Sequence, residues 1–315
     1  MRGKTILITG GTGSLGQKLA ERILKKRPKK VIIFSRGEHK QVEMQLLFPN
    51  PQFPIRYIIG DVRDREALYR AFSNVDMVVH TAALKHVPVC EYSSFEAVKT
   101  NVMGAQNIIN AAIDCGVKKV LAVSSDKAVN PCNLYGATKL CSDKLFIAGN
   151  NYSGKHGTIF SVIRFGNFAF SNGSVVGVFQ SLKESGEKTF PITSHKMTRF
   201  FISIDEAVSR VFETLCLMRG GEIFSPKMGS MKITDVAKAI LPDVKFKEIG
   251  VRSGERYHEE MIISDDAHKT YDYKNFYITF NGNKETIGKK VPYNFSYSSD
   301  NNKIWIDKKT FLEMI

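Results

Sequence analysis

Two side chains four residues apart are suited to acid–base chemistry on a hydroxyl group. Tyr135 and Lys139 belong to the string Tyr-Gly-Ala-Thr-Lys at 135–139, and this spacing places both on one face of a helix. A lysine ammonium near a phenol stabilises the phenolate, so we expect the pKa of Tyr135 to be lowered and its phenolate to act as a base. Such a base would assist hydride transfer from an alcohol carbon to nicotinamide. A tyrosine that only packs in the core is the alternative interpretation.

A glycine-rich turn near the start of the chain predicts a binding site for a dinucleotide. The apolar run at 5–9 leads into Gly-Gly-Thr-Gly-Ser-Leu-Gly at 10–16 and then into a helical pattern. The glycines permit a tight turn, a close approach of the backbone to a pyrophosphate and close packing of helix on strand, while the helix N-terminus offers free N–H groups. We expect the cofactor to contact Gly10, Thr12, Gly13, Ser14, Leu15 and Gly16.

The residues after the second apolar run favour NADP over NAD as that cofactor. Where an NAD-binding protein would carry an acidic ribose ligand, this chain has Ser35 and Arg36, followed by Lys40. An acid would repel a 2′-phosphate, whereas a hydroxyl and two cations would bind it. Asp61 and Val62, at the end of the third run, are expected to receive the adenine. For Arg36 and Asp61, a role as solvated turn residues is the alternative.

Short apolar runs alternate with amphipathic segments through the first half of the chain, at 5–9, 31–34, 55–59, 77–80, 119–124 and 158–164. Strands buried on both faces appear as such continuous runs, which predicts an α/β fold with a Rossmann-type, doubly wound parallel sheet.

After about residue 167 the alternation gives way to glycine- and serine-containing loops, with a helical pattern at 204–218 and shorter pieces at 221–227 and 233–241. We expect an NADP-binding domain at 1–167 and a smaller C-terminal, substrate-binding lobe at 168–315, with strands that can cross back. The polar segment 281–299 is predicted to be a surface loop.

The composition favours a soluble, cytoplasmic protein that binds neither membrane nor nucleic acid. No apolar stretch approaches the roughly 18 residues of a membrane span, and the first run is too short for a secretory signal. The five cysteines form no C-x-x-C pair and predict neither a disulfide framework nor a metal site. The net charge of +14 lies largely in short clusters that resemble solvated faces, and it suits an anionic nucleotide substrate.

Several longer strings give the chain a family resemblance. With the glycine turn and the Tyr/Lys pair, it resembles the extended short-chain dehydrogenase/reductase superfamily and, within it, the inverting UDP-N-acetylglucosamine 4,6-dehydratases that open pseudaminic acid biosynthesis. The resemblance runs from residue 4 to about residue 305, and it implies a homo-oligomer, a hexamer built from dimers or a dimer. The strings lie at 82–88 (AALKHVP), 125–128 (SDKA), 133–139 (NLYGATK), 197–200 (MTRF) and 252–256 (RSGER).

The resemblance gives Asp126 and Lys127 catalytic roles beside Tyr135. The inverting family is similar to this chain in having lysine at 127, where retaining relatives have glutamate. Tyr135 would take the C4 hydroxyl proton while the C4 hydride goes to NADP⁺, and the resulting ketone acidifies the C5 proton. Lys127, if burial and nearby cations keep it partly neutral, would remove that proton, and Asp126, if protonated, would protonate the departing C6 hydroxyl. The hydride then returns to C6, so NADP recycles.

Further contacts are implied by the same resemblance, and a surface or packing role is the alternative for most of them. Ala82 and Lys85 are expected beside the cofactor, and Lys85 also beside the substrate. The chain departs from the family at Asn172, where arginine is expected, and at Gly177, where proline is expected, which bears on the choice of sugar. The UDP-sugar is expected to contact Asn167, Val175, Thr193, Arg199, Arg252 and Glu255.

Three other functions share part of this pattern. A UDP-sugar 4-epimerase needs Tyr135 and Lys139 but no acid and base for C5 and C6, and a retaining 4,6-dehydratase would share the cofactor chemistry. A dinucleotide-sensing regulator that binds nucleic acid would use the fold and the positive charge, but it would have no need for the tyrosine and lysine.

Overall fold

Parallel strands built from the apolar runs form the centre of the molecule. The structure is a computed structural model that describes residues 1–50, 52–154, 157–169, 174–280 and 287–315. Its strands are β1 (Thr5–Thr9), β2 (Lys30–Ser35), β3 (Ile55–Ile59), β4 (Met77–His80), β5 (Lys119–Ser125), β6 (Ile159–Phe165), β7 (Asn167–Phe168), β8 (Thr189–Ile192), β9 (Thr198–Ile202), β10 (Glu222–Pro226), β11 (Gly229–Lys232), β12 (Lys245–Glu248), β13 (Glu260–Ile262), β14 (Thr270–Tyr273), β15 (Phe276–Phe280), β16 (Lys289–Lys290) and β17 (Tyr297–Ser298).

Helices connect and cover these strands. A 3₁₀ turn at Asp126–Ala128 follows β5, and a π-helical turn at Lys99–Met103 joins two of the helices. The α-helices are α1 (Ser14–Leu24), α2 (Glu38–Leu47), α3 (Arg65–Phe72), α4 (Val87–Tyr92), α5 (Ser94–Val98), α6 (Gly104–Asp114), α7 (Leu134–Tyr152), α8 (Val175–Glu184), α9 (Ile204–Leu217), α10 (Ile233–Ile240) and α11 (Lys308–Met314). None of the helices in the described ranges is long and apolar enough to cross a membrane.

The large sheet confirms the predicted fold class. Its parallel part has the strand order β3-β2-β1-β4-β5-β6-β10. The first six of these strands follow the doubly wound order 3-2-1-4-5-6, in which the chain reverses direction across the sheet between β1 and β4. A ligand cleft is expected at the carboxyl ends of the strands at this switch point.

Alternate residues of β1 supply two cores, because successive side chains of a strand point to opposite faces. Ile6 and Ile8 belong to the same buried core as Leu19 of α1 and Val211 of α9. Leu7 belongs to the core on the other face, where α3, α6 and α7 pack. Helices therefore fix the sheet from both sides and hold the ends of its strands in place.

The second half of the chain contributes both to this sheet and to a smaller lobe. Antiparallel strands β15, β14 and β16 continue the sheet beyond β10. The remaining strands form the small sheets β7-β9-β11, β8-β12 and β13-β17, and the lobe has its own apolar core around α8 and α10. The division at residue 167 stays a prediction, with strands crossing back into the large sheet as that prediction allowed.

The predicted loop at 281–299 is wrong in part. Residues 281–286 lie outside the described residues, but β16 and β17 fall within the rest of the segment. Tyr297 of β17 is buried, and its hydroxyl accepts a 2.7 Å hydrogen bond from the Met228 N–H. One aromatic side chain thus anchors a segment whose polar composition indicated a loop.

Candidate active site

A cavity of about 1660 Å³ opens at the carboxyl ends of the parallel strands and extends between them and the smaller lobe. It brings together almost all of the residues singled out from the sequence. From the cofactor set these are Gly10, Thr12, Gly13, Ser14, Leu15, Gly16, Ser35, Arg36, Lys40, Asp61, Val62, Ala82, Lys85, Tyr135 and Lys139. Lys127, Asn167, Val175, Thr193, Arg199, Arg252 and Glu255 line the same cavity.

The glycine turn has the close-packed geometry that its sequence predicts. Gly10 has a φ of +66°, and a Cβ at this position would lie 2.8 Å from the Ala82 backbone. A Cβ at Gly16 would lie 2.6 Å from the Gly11 backbone, which explains the close approach of α1 to the turn. Gly13 caps α1 without a side-chain hydrogen bond. The first turn of the helix therefore faces the cavity with N–H groups suited to phosphate.

Ser35, Arg36 and Lys40 lie together at the next corner of the cavity. The Ser35 hydroxyl oxygen accepts a 3.0 Å hydrogen bond from Gln41 Nε2, and Gln41 also donates to the backbone oxygens of Ser35 and Ile58. The buried Gln41 side chain therefore links β2 to β3 by hydrogen bonds and positions Ser35. Arg36 Nη1 lies 3.8 Å from Asp61 Oδ2.

A buried asparagine missing from the sequence predictions supports the loop that carries Ala82 and Lys85. Asn101, in the π-helical turn, accepts a hydrogen bond from the Leu84 N–H and donates to the Leu84 carbonyl, both at 2.9 Å. Its amide also donates to the Thr138 hydroxyl. Burial lowers the pKa of Lys85. Asn101 was missed because it lies in a π-helical turn. Such turns often occur at functional sites, but the sequence around Asn101 contains no motif that predicts one.

Helix α7 positions the predicted base and its lysine on one face. Asn133 caps the helix by accepting a 2.8 Å hydrogen bond from the Gly136 N–H. Tyr135 and Lys139 are both buried, and both line the cavity. Lys139 Nζ donates a 2.9 Å hydrogen bond to the Val123 carbonyl of β5, and burial lowers the pKa of this lysine.

The expected lowering of the Tyr135 pKa by Lys139 is wrong. Burial raises the pKa of the phenol to about 12, although Lys127 and the Ser125 hydroxyl act in the opposite direction. The cation that affects the phenol most is thus Lys127 and not Lys139. Desolvation of the phenolate outweighs it.

Lys127 is a charged group between two carboxylates. Its Nζ lies 3.0 Å from Asp126 Oδ1, 3.2 Å from Glu259 Oε1 and 3.4 Å from Asn167 Oδ1. Burial lowers the pKa of the amine, but the two carboxylates outweigh burial and raise it well above its usual range. The expectation that Lys127 is partly neutral is therefore wrong, because the sequence reasoning did not include the second carboxylate, Glu259.

Asp126 lies behind the cavity wall and is fully buried. Its Oδ1 accepts a 2.8 Å hydrogen bond from the Ser125 hydroxyl as well as the contact with Lys127, while Oδ2 has no partner among the described residues. Burial raises its pKa, in the direction that a proton donor needs. Ser125 and Lys127, its two polar partners, line the cavity, whereas Asp126 itself does not.

Glu259 is the main site residue that the sequence reasoning missed. It is only 3% exposed, lines the cavity and lies 3.5 Å from Arg199 Nε as well as near Lys127. Burial opposes its ionisation, yet Lys127 and Arg199 hold its pKa below the usual range. Ser299 fixes its backbone from both sides. The acidic pair Glu259-Glu260, just after the string 252–256, was the signal available in the sequence.

The predicted substrate residues of the smaller lobe are partly engaged with one another. Thr193 donates a 3.0 Å hydrogen bond to Glu255, which also accepts from the Arg252 N–H. Arg199 donates to the backbone oxygens of Thr198, Arg256 and Tyr257. The Arg252 side chain is exposed at the cavity, so it has the greatest freedom to meet an anionic ligand.

The two departures from the family pattern differ in what the structure shows. Asn172 lies outside the described residues. Gly177 lies in the first turn of α8, where its N–H donates a 3.3 Å hydrogen bond to the Ser174 hydroxyl that caps the helix. A proline has no N–H and could not make this bond, so glycine provides a cap that the expected residue would lose.

Gly136 allows α7 to pack closely against the turn that carries Lys127. A Cβ at this position would lie 2.1 Å from the Lys127 carbonyl oxygen and 3.0 Å from the Pro131 side chain. The helix of Tyr135 and the turn of Lys127 therefore pack backbone to backbone.

Fold and site together define an extended short-chain dehydrogenase/reductase: a doubly wound sheet with a glycine turn after β1 and a tyrosine and lysine four residues apart on α7. The chain belongs to the polysaccharide biosynthesis protein family, whose profile matches residues 6–281. This membership agrees with a site that combines a nucleotide cleft with acid–base groups.

Individual relatives make the comparison more specific. The chain is 51% identical to the inverting UDP-N-acetylglucosamine 4,6-dehydratase of Campylobacter jejuni, over 99% of this chain and 97% of the relative. It is 39% identical to a UDP-glucose 4-epimerase of Rickettsia canadensis, over 87% and 82%. The structure of Pen from Bacillus thuringiensis is similar with a TM-score of 0.92 and 35% identity, over 100% and 97%. The family resemblance drawn from the sequence strings is confirmed.

Proposed function

We propose that the protein removes water from UDP-N-acetylglucosamine across C5 and C6 after oxidation at C4, with inversion at C5. The product is UDP-2-acetamido-2,6-dideoxy-β-L-arabino-hex-4-ulose. The observation that carries the proposal is the position of Lys127, paired with Asp126, in the same cavity as Tyr135. A second acid–base pair beside the tyrosine is what an elimination needs and a simple oxidation does not. The name of the Campylobacter jejuni relative supports the same reaction.

The turn at 10–16 and the corner at Ser35, Arg36 and Lys40 fit a phosphorylated dinucleotide. A Cβ at Gly10 or Gly16 would meet backbone, so glycine at these positions permits the tight turn and the close packing of α1 that bring backbone N–H groups to a pyrophosphate. When bound, NADP⁺ supplies the acceptor that takes hydride from C4 and later returns it to C6. Arg36 and Lys40 would hold the 2′-phosphate, and the open first turn of α1 the pyrophosphate.

Three side chains would carry out the proton transfers of the reaction. The Tyr135 phenolate takes the proton of the C4 hydroxyl, so the phenol must first lose its own proton. The Lys127 amine takes the C5 proton, and Asp126 supplies a proton to the departing C6 hydroxyl, through Ser125 or Lys127 because it lies behind them. A proton from solvent water, added to C5 from the opposite face, completes the inversion. Tyr135 and Lys127 release to water the two protons they gained, which balances the proton taken up by C5 and the one that Asp126 regains.

Product analysis tests this function directly. The unmodified protein is incubated with NADP⁺ and UDP-N-acetylglucosamine in heavy water, and the product is examined by mass spectrometry and NMR. We expect a product that has lost one water, carries deuterium at C5 and has the inverted C5 configuration. Tyr135→Phe, which loses only the phenolic oxygen, should bind the UDP-sugar and form no ketone. A product with retained C5 configuration would overturn the inverting assignment.

An epimerase is the second candidate, because the Rickettsia canadensis relative bears that name. An epimerase would use Tyr135, Lys139 and the cofactor cleft without elimination. The same experiment separates the two functions, since an epimerised product keeps the mass of the substrate.

The proposal also includes a homo-oligomer, which the family resemblance implies. The homo-oligomer is either a dimer or a hexamer built from dimers, and sedimentation of the purified protein measures its size. Other proposed properties come from the sequence patterns themselves: NADP as the physiological cofactor, an NADP-binding domain at 1–167 with a substrate lobe at 168–315, and a cytoplasmic location.

A further inference from the structure

A carboxylate of the cavity wall lies beside the arginine that is proposed to hold a 2′-phosphate. Asp61 follows β3, lines the cavity and lies 3.8 Å from Arg36 Nη1. A carboxylate this close to Arg36 would repel a 2′-phosphate held by that arginine. It would also attract Arg36 away from that phosphate. A protein that prefers NADP must therefore neutralise Asp61.

Arg63 occupies both oxygens of this carboxylate. The Arg63 N–H donates to Asp61 Oδ1 at 2.9 Å, and its side chain donates to Oδ2 from Nε at 2.9 Å and from Nη2 at 2.7 Å. Charge-assisted bonds of this length are stronger than the 3.8 Å contact with Arg36. Hydrogen bonds from Arg63 hold the pKa of Asp61 low even though burial opposes its ionisation.

The other end of Arg63 is fixed as well. Its Nη1 donates to Glu96 of α5, and Lys99 Nζ lies 2.9 Å from the other oxygen of that carboxylate. Positive and negative groups thus alternate from Arg36 through Asp61, Arg63 and Glu96 to Lys99. Arg63 is not among the residues that line the cavity, so it affects a ligand there through Asp61.

We propose that Arg63 is a positioning residue for cofactor choice: by covering both oxygens of Asp61, it removes the repulsion of a 2′-phosphate and leaves Arg36 directed at that phosphate. This inference rests on the proposed preference for NADP. Without the Arg63 side chain, Oδ2 of Asp61 is uncovered and its nearest cation is Arg36, while the N–H of residue 63 still donates to Oδ1. Both changes weaken NADP⁺ binding, and neither involves a group that NAD⁺ possesses.

Calorimetry of both cofactors tests the inference, with Arg63→Gln as the variant. We expect the Kd of NADP⁺ to rise by up to roughly fivefold more than that of NAD⁺, which is the upper end of the range for a solvent-exposed ion pair. Arg65→Gln is the matched control: Arg65 is two residues away and donates to the Tyr69 hydroxyl. Its ratio of the two Kd values should equal that of the unmodified protein. Binding of NAD⁺ shows in each variant that the cleft is folded.

A second variant ties the effect to Asp61. Asp61→Asn combined with Arg63→Gln removes the carboxylate together with its cover, so the ratio should return towards the unmodified value. An unchanged ratio of the NADP⁺ Kd to the NAD⁺ Kd in Arg63→Gln, or a raised ratio that persists in the double variant, would overturn the inference. Equal affinity of the unmodified protein for NADP⁺ and NAD⁺ would instead overturn the proposed cofactor itself, so the two failures are distinguishable.

Discussion

Two ends of the cavity are prepared for ligands to different degrees. The adenosine end comprises the turn at 10–16 with Ser35, Arg36 and Asp61, and the chemical end comprises Lys127 and Tyr135. At the adenosine end the glycine turn already has its close-packed form, and Arg63 already covers Asp61. At the chemical end Tyr135 has a pKa of about 12 and the pKa of Lys127 is raised. Both side chains are therefore protonated at neutral pH, although the proposed reaction uses each as a base.

The difference shows which part of a site the protein alone can complete. Binding depends on backbone shape and fixed ion pairs, which are set when the chain folds. Base strength depends on the local charges and on water, and both change when a charged cofactor and a sugar nucleotide fill the cavity. We therefore expect ligand binding to change the protonation of the chemical end much more than the shape of the adenosine end.

The largest effect is expected from Lys127→Ala, which breaks the chemical end alone. C4 oxidation needs Tyr135 and the cofactor but no base at C5, so NADPH should still form reversibly. Dehydration should fall by about 10²–10⁴-fold, the range for loss of a general base, and deuterium from heavy water should no longer enter C5. Absorbance of NADPH and NMR of the sugar measure the two steps separately.

Lys144→Ala is the control for that experiment. It removes an exposed lysine of α7 and should leave both steps unchanged. Dehydration by Lys127→Ala at a near-normal rate, with full labelling at C5, would show that Lys127 is structural and would remove the case for inversion.

Glu259→Gln tests how the charge beside Lys127 controls its protonation. It removes one of two carboxylates that raise the Lys127 pKa, so this pKa should fall by about one unit or more. Labelling of Lys127 by an amine-selective reagent at pH 8, followed by peptide mass spectrometry, should then be about tenfold faster. Glu260→Gln, which removes the neighbouring carboxylate paired with Arg256, should not accelerate labelling. Equal rates in both variants would mean that Asp126 alone controls the lysine.

Arg36→Asp tests the choice of cofactor at the adenosine end. It should weaken NADP⁺ binding by about tenfold or more, since a bidentate cation is replaced by a repelling charge, and it should spare NAD⁺. Arg56→Asp makes the same change of net charge at an exposed position of β3 and controls for long-range electrostatics. Calorimetry with both cofactors provides the measurement. A parallel loss of both cofactors would show that Arg36 has no part in the choice between them.

The last effect concerns folding stability and the buried His80 of β4. Its Nδ1 is 2.7 Å from the Thr9 hydroxyl, and burial, assisted by Lys139, lowers its pKa to about 3. Between pH 6.5 and 3 the unfolded chain binds a proton here that the folded protein does not, so stability rises with pH in this window. At pH 5 the loss relative to neutral pH is about 2 kcal/mol.

Denaturant unfolding at several pH values measures this effect. His80→Asn should flatten the fall in the free energy of unfolding between pH 7 and pH 5, while other titrating groups leave a residual slope. The same slope in the variant and the unmodified protein would mean that His80 is accessible to protons in the folded state.

Local strings predicted the parts of the molecule that short segments determine. The turn at 10–16, the strands of the parallel sheet and the shared face of Tyr135 and Lys139 each depend on fewer than about ten consecutive residues, and each was confirmed. Glu259 was missed because its importance arises from Lys127, more than a hundred positions earlier in the chain. The Lys127 and Tyr135 pKa expectations were wrong for the same reason: burial and distant charges set them.

Gly136 has a consequence for how the protein can change during evolution. Oxidation at C4 and proton removal at C5 use side chains on two segments, α7 and the turn at Asp126–Ala128, and these segments touch where a methyl group would be 2.1 Å from a carbonyl oxygen. Misplacement of a reacting group by about 1 Å costs on the order of 10²-fold in rate. Even alanine at this position would push the two segments apart and displace Tyr135 relative to Lys127. Both reaction steps therefore depend on Gly136, which takes part in neither.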